Sequence, residues 1–144
     1  MRTLRVADLE AKPGEKVSGF VHIIGADFGI PVTLICGEQK GETVLISGGV
    51  HNAEYVGIQA AMQLANDLDP KKIAGNIIVI RLMNRTGFEH RTMSLTYEDG
   101  KNLNRVFPEG RLLYRSALRG WLRGVGILCI LYRGSCSGSC GKEP

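Results

Sequence analysis

The feature that most constrains the fold is a pair of apolar runs, residues 44–47 and 77–83, on either side of a stretch with helical periodicity. Asn52 is an acceptable N-cap and Asp69 precedes a proline, so an amphipathic helix is predicted over residues 53–67. Its repeating apolar positions are Ile58, Ala61, Met62, Ala65 and Leu68. Strand, helix and strand in this order predict a βαβ unit whose two strands are parallel, with the first in the centre of the sheet.

The residues before this unit read as two short strands, 17–24 and 31–36, joined by the turn-prone residues 25–29. Residues 84–108 show no periodicity and are rich in polar and turn residues, so a long loop is predicted there. Loops of that length in compact domains are usually functional or disordered. The fold class is therefore α/β.

Charge is distributed unevenly along the chain. Residues 1–110 hold 12 Lys or Arg against 13 Asp or Glu, whereas residues 111–144 hold 6 against 1. The net charge of +4 therefore belongs to the tail, and a nucleic-acid contact by its arginines is a less favoured interpretation because charge runs are usually solvated. Cys129, Cys136 and Cys140 have spacings that match no zinc-ribbon pattern.

The sequence contains neither an apolar run long enough to span a bilayer nor an apolar segment of the kind found in signal peptides near Met1. A cytoplasmic protein without membrane contact is expected. Apolar residues make up 44% and charged residues 22%, which excludes a disordered composition.

The first apolar strand ends in Gly48-Gly49-Val50-His51-Asn52-Ala53-Glu54. Ligands of open α/β sheets bind beyond the carboxyl ends of strands, and an imidazole and a carboxylate three residues apart can point at one cation. The two glycines would let the backbone turn sharply and leave room for a substrate. Taken alone, H-x-x-E is common by chance, and the alternative is a helix start with an ordinary surface histidine.

Three motifs in order resemble the succinylglutamate desuccinylase/aspartoacylase family, whose members are zinc deacylases related to the zinc carboxypeptidases. They are residues 48–57 (GGVHNAEYVG), the strand ending at Asn84, and residues 99–108 (DGKNLNRVFP). The resemblance covers residues 9–108 and implies the N-terminal portion of a zinc carboxypeptidase-like mixed sheet with flanking helices. It makes residues 1–108 a partial catalytic domain and residues 109–144 a basic tail rich in Cys, Gly and Arg.

The resemblance also implies roles for five residues. His51 and Glu54 would be zinc ligands for one Zn²⁺ per chain, and Asn104 and Arg105 would bind the substrate carboxylate through charge-assisted hydrogen bonds. Arg91 would polarise the scissile carbonyl; its alternative is a solvated loop arginine. The other histidines, His22 and His90, read as ordinary surface or loop residues.

Members of the family carry a third zinc ligand, a histidine, and a glutamate that activates water, both beyond the Phe-Pro-Gly motif. After Pro108 this chain has Glu109 instead of glycine, no histidine, and Glu143 as its one further acid. A frameshifted or truncated tail is one hypothesis. The alternative is a short natural variant whose tail forms a helix over residues 111–122.

The sequence thus predicts a zinc-dependent hydrolase of an amide or ester bond in a small, carboxylate-bearing N-acyl substrate, incomplete in this chain. The alternative is an inactive fragment or an interaction module that binds a partner through a sheet edge or through the tail.

Overall fold

The computed structural model describes residues 3–23 and 25–105 and the backbone of residues 126–129. The part of the chain so described contains seven strands and two α-helices, with 3₁₀ turns at Pro70–Lys72 and Leu103–Arg105. The elements in order are β1 (Leu4–Val6), β2 (Leu9–Ala11), β3 (Glu15–His22), β4 (Gly29–Cys36), β5 (Gln39–Ser47), α1 (Tyr55–Asp67), β6 (Ala74–Ile80), α2 (Arg85–Glu89) and β7 (Gly126–Cys129).

Five of these strands form a mixed sheet in the order β3-β4-β6-β5-β7. β4 runs antiparallel to both β3 and β6, while β5 runs parallel to β6 and to β7. The predicted βαβ unit with parallel, adjacent strands is confirmed, and β5 has a paired strand on each side as predicted. The mixed sheet with flanking helices agrees with the predicted fold class.

The two faces of the sheet are buried by different elements. One face packs against α1 through Ala61 and Ala65, which meet Ile35, Ile46 and Val79. The other face is covered by the antiparallel β1–β2 hairpin, together with Met83 and Leu103. The segment that follows β6 is therefore held against the sheet, which fixes the position of the predicted functional loop.

The start of α1 differs from the prediction. The helix begins at Tyr55 with Glu54 at the N-cap position, and the Glu54 side chain makes no capping hydrogen bond. Asn52 as N-cap is therefore wrong. Its side chain is buried, and its Oδ1 accepts a hydrogen bond from Asn84 Nδ2 at 3.1 Å. The Asn52 side chain therefore makes a tertiary hydrogen bond with Asn84 instead of capping the helix.

The glycine pair after β5 lets α1 approach the end of the strand. Gly49 has φ +65°, which confirms the predicted sharp turn, and a Cβ on it would lie 2.6 Å from a methyl of Leu82 and 2.9 Å from Ile58. A Cβ on Gly48 would lie 2.8 Å from that of Ala61. Protein atoms therefore occupy the space beside the two glycines, where the sequence predicts room for a substrate.

The long loop predicted over residues 84–108 is only partly a loop. It contains α2, which spans five residues, and the 3₁₀ turn at Leu103–Arg105. Residues 84–105 are fixed by many hydrogen bonds of their own, including Thr96 backbone N to Lys101 O at 2.9 Å. The helix predicted for residues 111–122 lies outside the described residues, as do Cys136 and Cys140.

α1, with 13 residues, is the longer of the two α-helices in the described part of the chain. None of the described helices reaches the length and apolar character that crossing a membrane requires.

Candidate metal centre

The residues between β5 and α1 form a tight turn at the carboxyl end of the parallel strands. Glu54 backbone N donates to His51 O at 3.1 Å, and this turn brings the two side chains together. His51 Nδ1 lies 2.8 Å from Glu54 Oε1, with side-chain exposures of 14% and 39%. The structure therefore joins the two residues that the sequence predicted as metal ligands and leaves them accessible from solvent.

The second ring nitrogen of His51 is held by Asn102. His51 Nε2 lies 3.0 Å from Asn102 Oδ1. The same oxygen accepts a hydrogen bond from the backbone N–H of Asn104 at 3.0 Å. Because a backbone N–H can only donate, the Asn102 atom that faces both partners is the amide oxygen, and His51 Nε2 must donate to it.

This hydrogen bond determines what His51 Nδ1 can do. In a neutral imidazole with its proton on Nε2, Nδ1 carries a lone pair and can only accept. It faces a carboxylate oxygen of Glu54, which also only accepts when ionised. A favourable contact at 2.8 Å therefore requires a proton between the two atoms, and a cation can take the place of that proton if the side chains move slightly apart. A histidine whose far nitrogen is held by an amide oxygen has the arrangement usual for metal-binding histidines.

Of the described His, Cys, Asp and Glu side chains, no group of three is placed to hold one metal ion. His51 and Glu54 thus form a two-residue set within this part of the molecule. His90 lies apart from such a set: its ring stacks on Tyr97 at 3.5 Å and its Nδ1 donates to Thr86 O at 2.9 Å. His22 is exposed at the end of β3.

The predicted substrate-binding residues lie on the 3₁₀ turn that follows Asn102. The turn is closed by Arg105 backbone N, which donates to Asn102 O at 2.9 Å. Leu103 anchors it in the core, whereas Arg105 is exposed. Since Asn102 contacts His51, the 3₁₀ turn that carries Asn104 and Arg105 begins beside the His51–Glu54 pair.

Arg91 lies on the loop of residues 91–95. Two of its residues, Arg91 and Met93, have positive φ angles of 55° and 61°. Met93 O accepts a hydrogen bond from Ala53 backbone N at 3.0 Å, which fastens this loop to the turn that carries His51 and Glu54. The exposed Arg91 side chain is thus carried on a loop that borders the candidate metal centre.

Asp99 organises the turn of residues 96–101, which leads into the 3₁₀ turn. Its carboxylate accepts hydrogen bonds from the hydroxyl of Thr96 and from Lys101 backbone N, and it pairs with Lys101 Nζ at 3.2 Å. Partial burial opposes ionisation, but these hydrogen bonds and the lysine charge together outweigh it and lower the pKa of Asp99 below 3.8.

A separate groove of about 860 Å³ lies between the β3–β4 end of the sheet and α2. Its lining includes Phe20, Arg85, His90 and Tyr97. The Arg85 guanidinium is 5.0 Å from the centre of the Phe20 ring and pairs with Glu89 at 2.7 Å. None of the five predicted site residues lines this groove.

Two residues that contact the candidate site have no role in the sequence prediction. Asn102 lies within the motif at residues 99–108, and Asn84 ends a predicted strand. The available signal was the run of amides in these motifs, Asn102 two residues before Asn104 in particular. Asn84 is completely buried and makes three side-chain hydrogen bonds.

Comparison with known proteins identifies the family of this chain. The model of the succinylglutamate desuccinylase/aspartoacylase catalytic domain matches residues 40–120, more than half of the chain. The chain belongs to the succinylglutamate desuccinylase/aspartoacylase family. The match includes His51, Glu54 and Arg91 together with Asn104 and Arg105.

Relatives of known name and structure come from several bacteria. A protein of Halomonas elongata named N-alpha-acetyl-L-2,4-diaminobutyric acid deacetylase is 38% identical over 81 residues, which are 55% of this chain and 22% of the relative. The crystal structure of an aspartoacylase family protein from Mesorhizobium loti is 31% identical, with a TM-score of 0.71. A succinylglutamate desuccinylase/aspartoacylase structure from Rhodobacter sphaeroides is 27% identical, with a TM-score of 0.64.

The chain spans less than half the length of these family members. The match with the Mesorhizobium loti structure covers 90% of this chain and 43% of that one. The match with the Rhodobacter sphaeroides structure covers 81% of this chain and 38% of that one.

Proposed function

We propose that the chain carries part of the active site of a zinc-dependent deacylase, which hydrolyses the amide or ester bond of a small N-acyl amino-acid-like substrate. The observation that carries the proposal is the His51–Glu54 contact of 2.8 Å with the far ring nitrogen held by Asn102. The imidazole nitrogen and the carboxylate oxygen face each other, so a small outward movement of the Glu54 side chain would let both bind one cation.

The donor set favours zinc among the divalent cations. An imidazole nitrogen with a carboxylate oxygen is a usual zinc ligand pair, whereas magnesium and calcium prefer oxygen ligands throughout. Glu54 is partly exposed, so its carboxylate can rotate to admit the ion. Zinc, when bound, supplies Lewis-acid polarisation of the scissile carbonyl.

Asn104 and Arg105 supply the substrate-binding part of the site. A guanidinium binds a carboxylate through two parallel hydrogen bonds, and the Asn104 amide adds a directional donor. Both residues follow Asn102, whose oxygen contacts His51. A substrate carboxylate bound there would have its acyl group directed toward the His51–Glu54 pair.

Arg91 supplies positive charge on a loop that borders the turn. Its loop is joined by a hydrogen bond to Ala53, two residues after His51, which brings the exposed Arg91 near the candidate metal centre. We assign to it stabilisation of the negative charge that develops on that oxygen during hydrolysis.

The family and the named relative support the reaction class and the substrate class. The Halomonas elongata protein is named as a deacetylase of an N-acetylated diamino acid. For this chain we infer a substrate of the same general kind, an acylated amino acid with a free carboxylate.

The first experiment measures zinc by elemental analysis in the purified chain and in a variant that carries His51→Ala and Glu54→Ala. About one zinc per chain, lost in the double variant, is the expected result. The matched control removes the same residue types elsewhere, His90→Ala with Glu98→Ala, both exposed positions, and should retain zinc. Equal zinc in all three proteins, or none in the unsubstituted chain, contradicts the proposed centre.

The same preparation tests the alternative of a non-catalytic binding module. The observation that favours this alternative is the two-residue ligand set, since a catalytic zinc usually has three protein ligands. Release of free amine from N-acyl amino acids by the zinc-loaded chain supports the deacylase. Zinc binding and saturable binding of N-acyl amino acids without amine release would support the module.

A further inference from the structure

Asn84 occupies a position where three segments of the candidate site meet. It lies four residues after the end of β6, and its side chain has 0% exposure. Its backbone N donates to Gly49 O at 2.9 Å, so the residue is also fixed to the glycine turn after β5. A buried amide of this kind is costly unless each of its polar atoms is paired.

The two N–H donors of the Asn84 side chain bind acceptors in two other segments of the chain. Nδ2 donates to Asn52 Oδ1 at 3.1 Å and to Leu95 O at 2.9 Å. Asn52 is next to His51, and Leu95 ends the loop that carries Arg91. One amide group therefore connects the turn of the metal ligands to the loop of the arginine.

The acceptor of the same amide fixes a third segment. Asn84 Oδ1 accepts from Gly87 backbone N at 3.1 Å and so caps α2. The packing is close here, because a Cβ on Gly87 would lie 2.5 Å from Asn84 Oδ1 and 2.6 Å from Leu95 O. Neither aspartate, which lacks the two donors, nor glutamine, which is one methylene longer, can reproduce this set of bonds.

We propose that Asn84 is a positioning residue that fastens the loop of residues 91–95 to the His51–Glu54 turn and thereby sets the orientation of Arg91. The part that concerns Arg91 in catalysis rests on the proposed function. The fastening itself does not, because it is made by hydrogen bonds among Asn84, Asn52 and Leu95.

The loop needs such an anchor because its backbone is strained. Arg91 and Met93 hold left-handed conformations, which are unfavourable for residues other than glycine. The anchor and the Ala53-to-Met93 hydrogen bond hold the loop from two sides. Without the Asn84 donors, the loop can relax to ordinary φ angles and carry Arg91 away from the turn.

The test compares Asn84→Ser with the unsubstituted chain by amide hydrogen exchange and by NMR chemical shifts, with zinc as the titrant. Serine keeps a cap for α2 but removes the paired donors. The expected result is exchange about tenfold to a hundredfold faster at the amides of Ala53 and Thr92, with little change in the β6 amides. Zinc should shift the amides of residues 91–95 in the unsubstituted chain and not in the variant.

Asn76→Ser is the matched control. Asn76 is also an asparagine with a side-chain hydrogen bond, to Thr43 Oγ1 at 3.0 Å, and it lies in β6. It should leave exchange at Ala53 and Thr92 unchanged. Asn52→Ala serves as a milder second variant, which removes one acceptor and should loosen the same amides by a smaller factor.

Specific outcomes would overturn the proposal. Exchange at Ala53 and Thr92 that is unchanged in Asn84→Ser, or that rises equally throughout the sheet, means that Asn84 does not fasten the loop. A zinc response of residues 91–95 that persists in the variant has the same meaning. A chain that binds no zinc contradicts the proposed function, while the exchange comparison still decides the role of Asn84.

Discussion

His51 Nε2 donates to Asn102 Oδ1 across 3.0 Å, although 51 residues separate the two in the sequence. This contact joins the turn after β5 to the 3₁₀ turn of the predicted substrate-binding residues. It also assigns one ring proton to Nε2, so Nδ1 is the ring nitrogen that faces Glu54 and is placed to bind a metal.

Substitution of Asn102 should change zinc affinity in opposite directions for two variants. Asn102→Leu removes the acceptor for His51 Nε2–H and should weaken zinc binding about 10- to 100-fold, the usual range for the loss of such a supporting contact. Asn102→Asp keeps the acceptor and adds a negative charge, which should tighten binding. Competition with a chelator at constant pH measures both.

Asn76→Leu is the control for that experiment, since Asn76 pairs with Thr43 at the other end of β6. It should leave zinc affinity within about twofold of the unsubstituted chain, since distant sites contribute independently. Zinc affinity in Asn102→Leu equal to that of this control would remove the proposed role of Asn102.

Two glycines near the site should respond in opposite ways to alanine. Gly49→Ala places a Cβ 2.6 Å from Leu82 at a φ of +65°, and we expect a loss of about 2–4 kcal/mol in the free energy of unfolding. Gly57→Ala adds a Cβ with nothing within 4 Å, inside α1, and should gain about 0.5–1 kcal/mol. Urea unfolding of the three proteins measures both changes, and a destabilised Gly57→Ala would contradict this view of α1 packing.

The elements that the sequence predicted well are those whose burial alone imposes a pattern. The second halves of β5 and β6 are continuous apolar runs, and α1 repeats Ala61 and Ala65 on one face because that face packs on the sheet. β1, β2 and α2 are not predicted from the sequence because elements of three to five residues are too short to show a period. The β1–β2 turn also contains Ala7 at φ +50° instead of a glycine.

The candidate site divides in the same way between local and distant contacts. His51 and Glu54 are three residues apart, so a single turn brings them together and the spacing predicts it. Asn102 and Asn84 act through partners 51 and 32 residues away. Neither partner can be read from spacing, because it depends on how the loop after β6 folds back over the end of the sheet. The zinc ion itself stays a prediction.

Lys16 provides a stability test away from the site. Its Nζ donates to Ala65 O at 3.0 Å and to Asn66 O at 2.7 Å. Both carbonyls lie in the last turn of α1, where carbonyls lack a partner within the helix. A cation there also interacts favourably with the helix dipole. Lys16→Met should lower the free energy of unfolding by about 1 kcal/mol. Lys12→Met, which removes the same charge from an exposed position, should change it by less than about 0.5 kcal/mol.

Acid should loosen the turn of residues 96–101, which directly precedes Asn102, Asn104 and Arg105. The ionised Asp99 carboxylate accepts from Thr96 and Lys101, and these contacts lower its pKa below 3.8. A lowered pKa means that the folded state favours the ionised form, so this contribution is complete above pH 3.8 and is lost as the pH falls through the lowered pKa. A carboxyl-carbon NMR titration of the folded chain should give a midpoint for Asp99 below 3.8. In Thr96→Val, which lacks the hydroxyl donor, the midpoint should move upward. A midpoint that is the same in both proteins would show that Thr96 does not stabilise the carboxylate. The turn of residues 96–101 would then be held by its backbone hydrogen bonds.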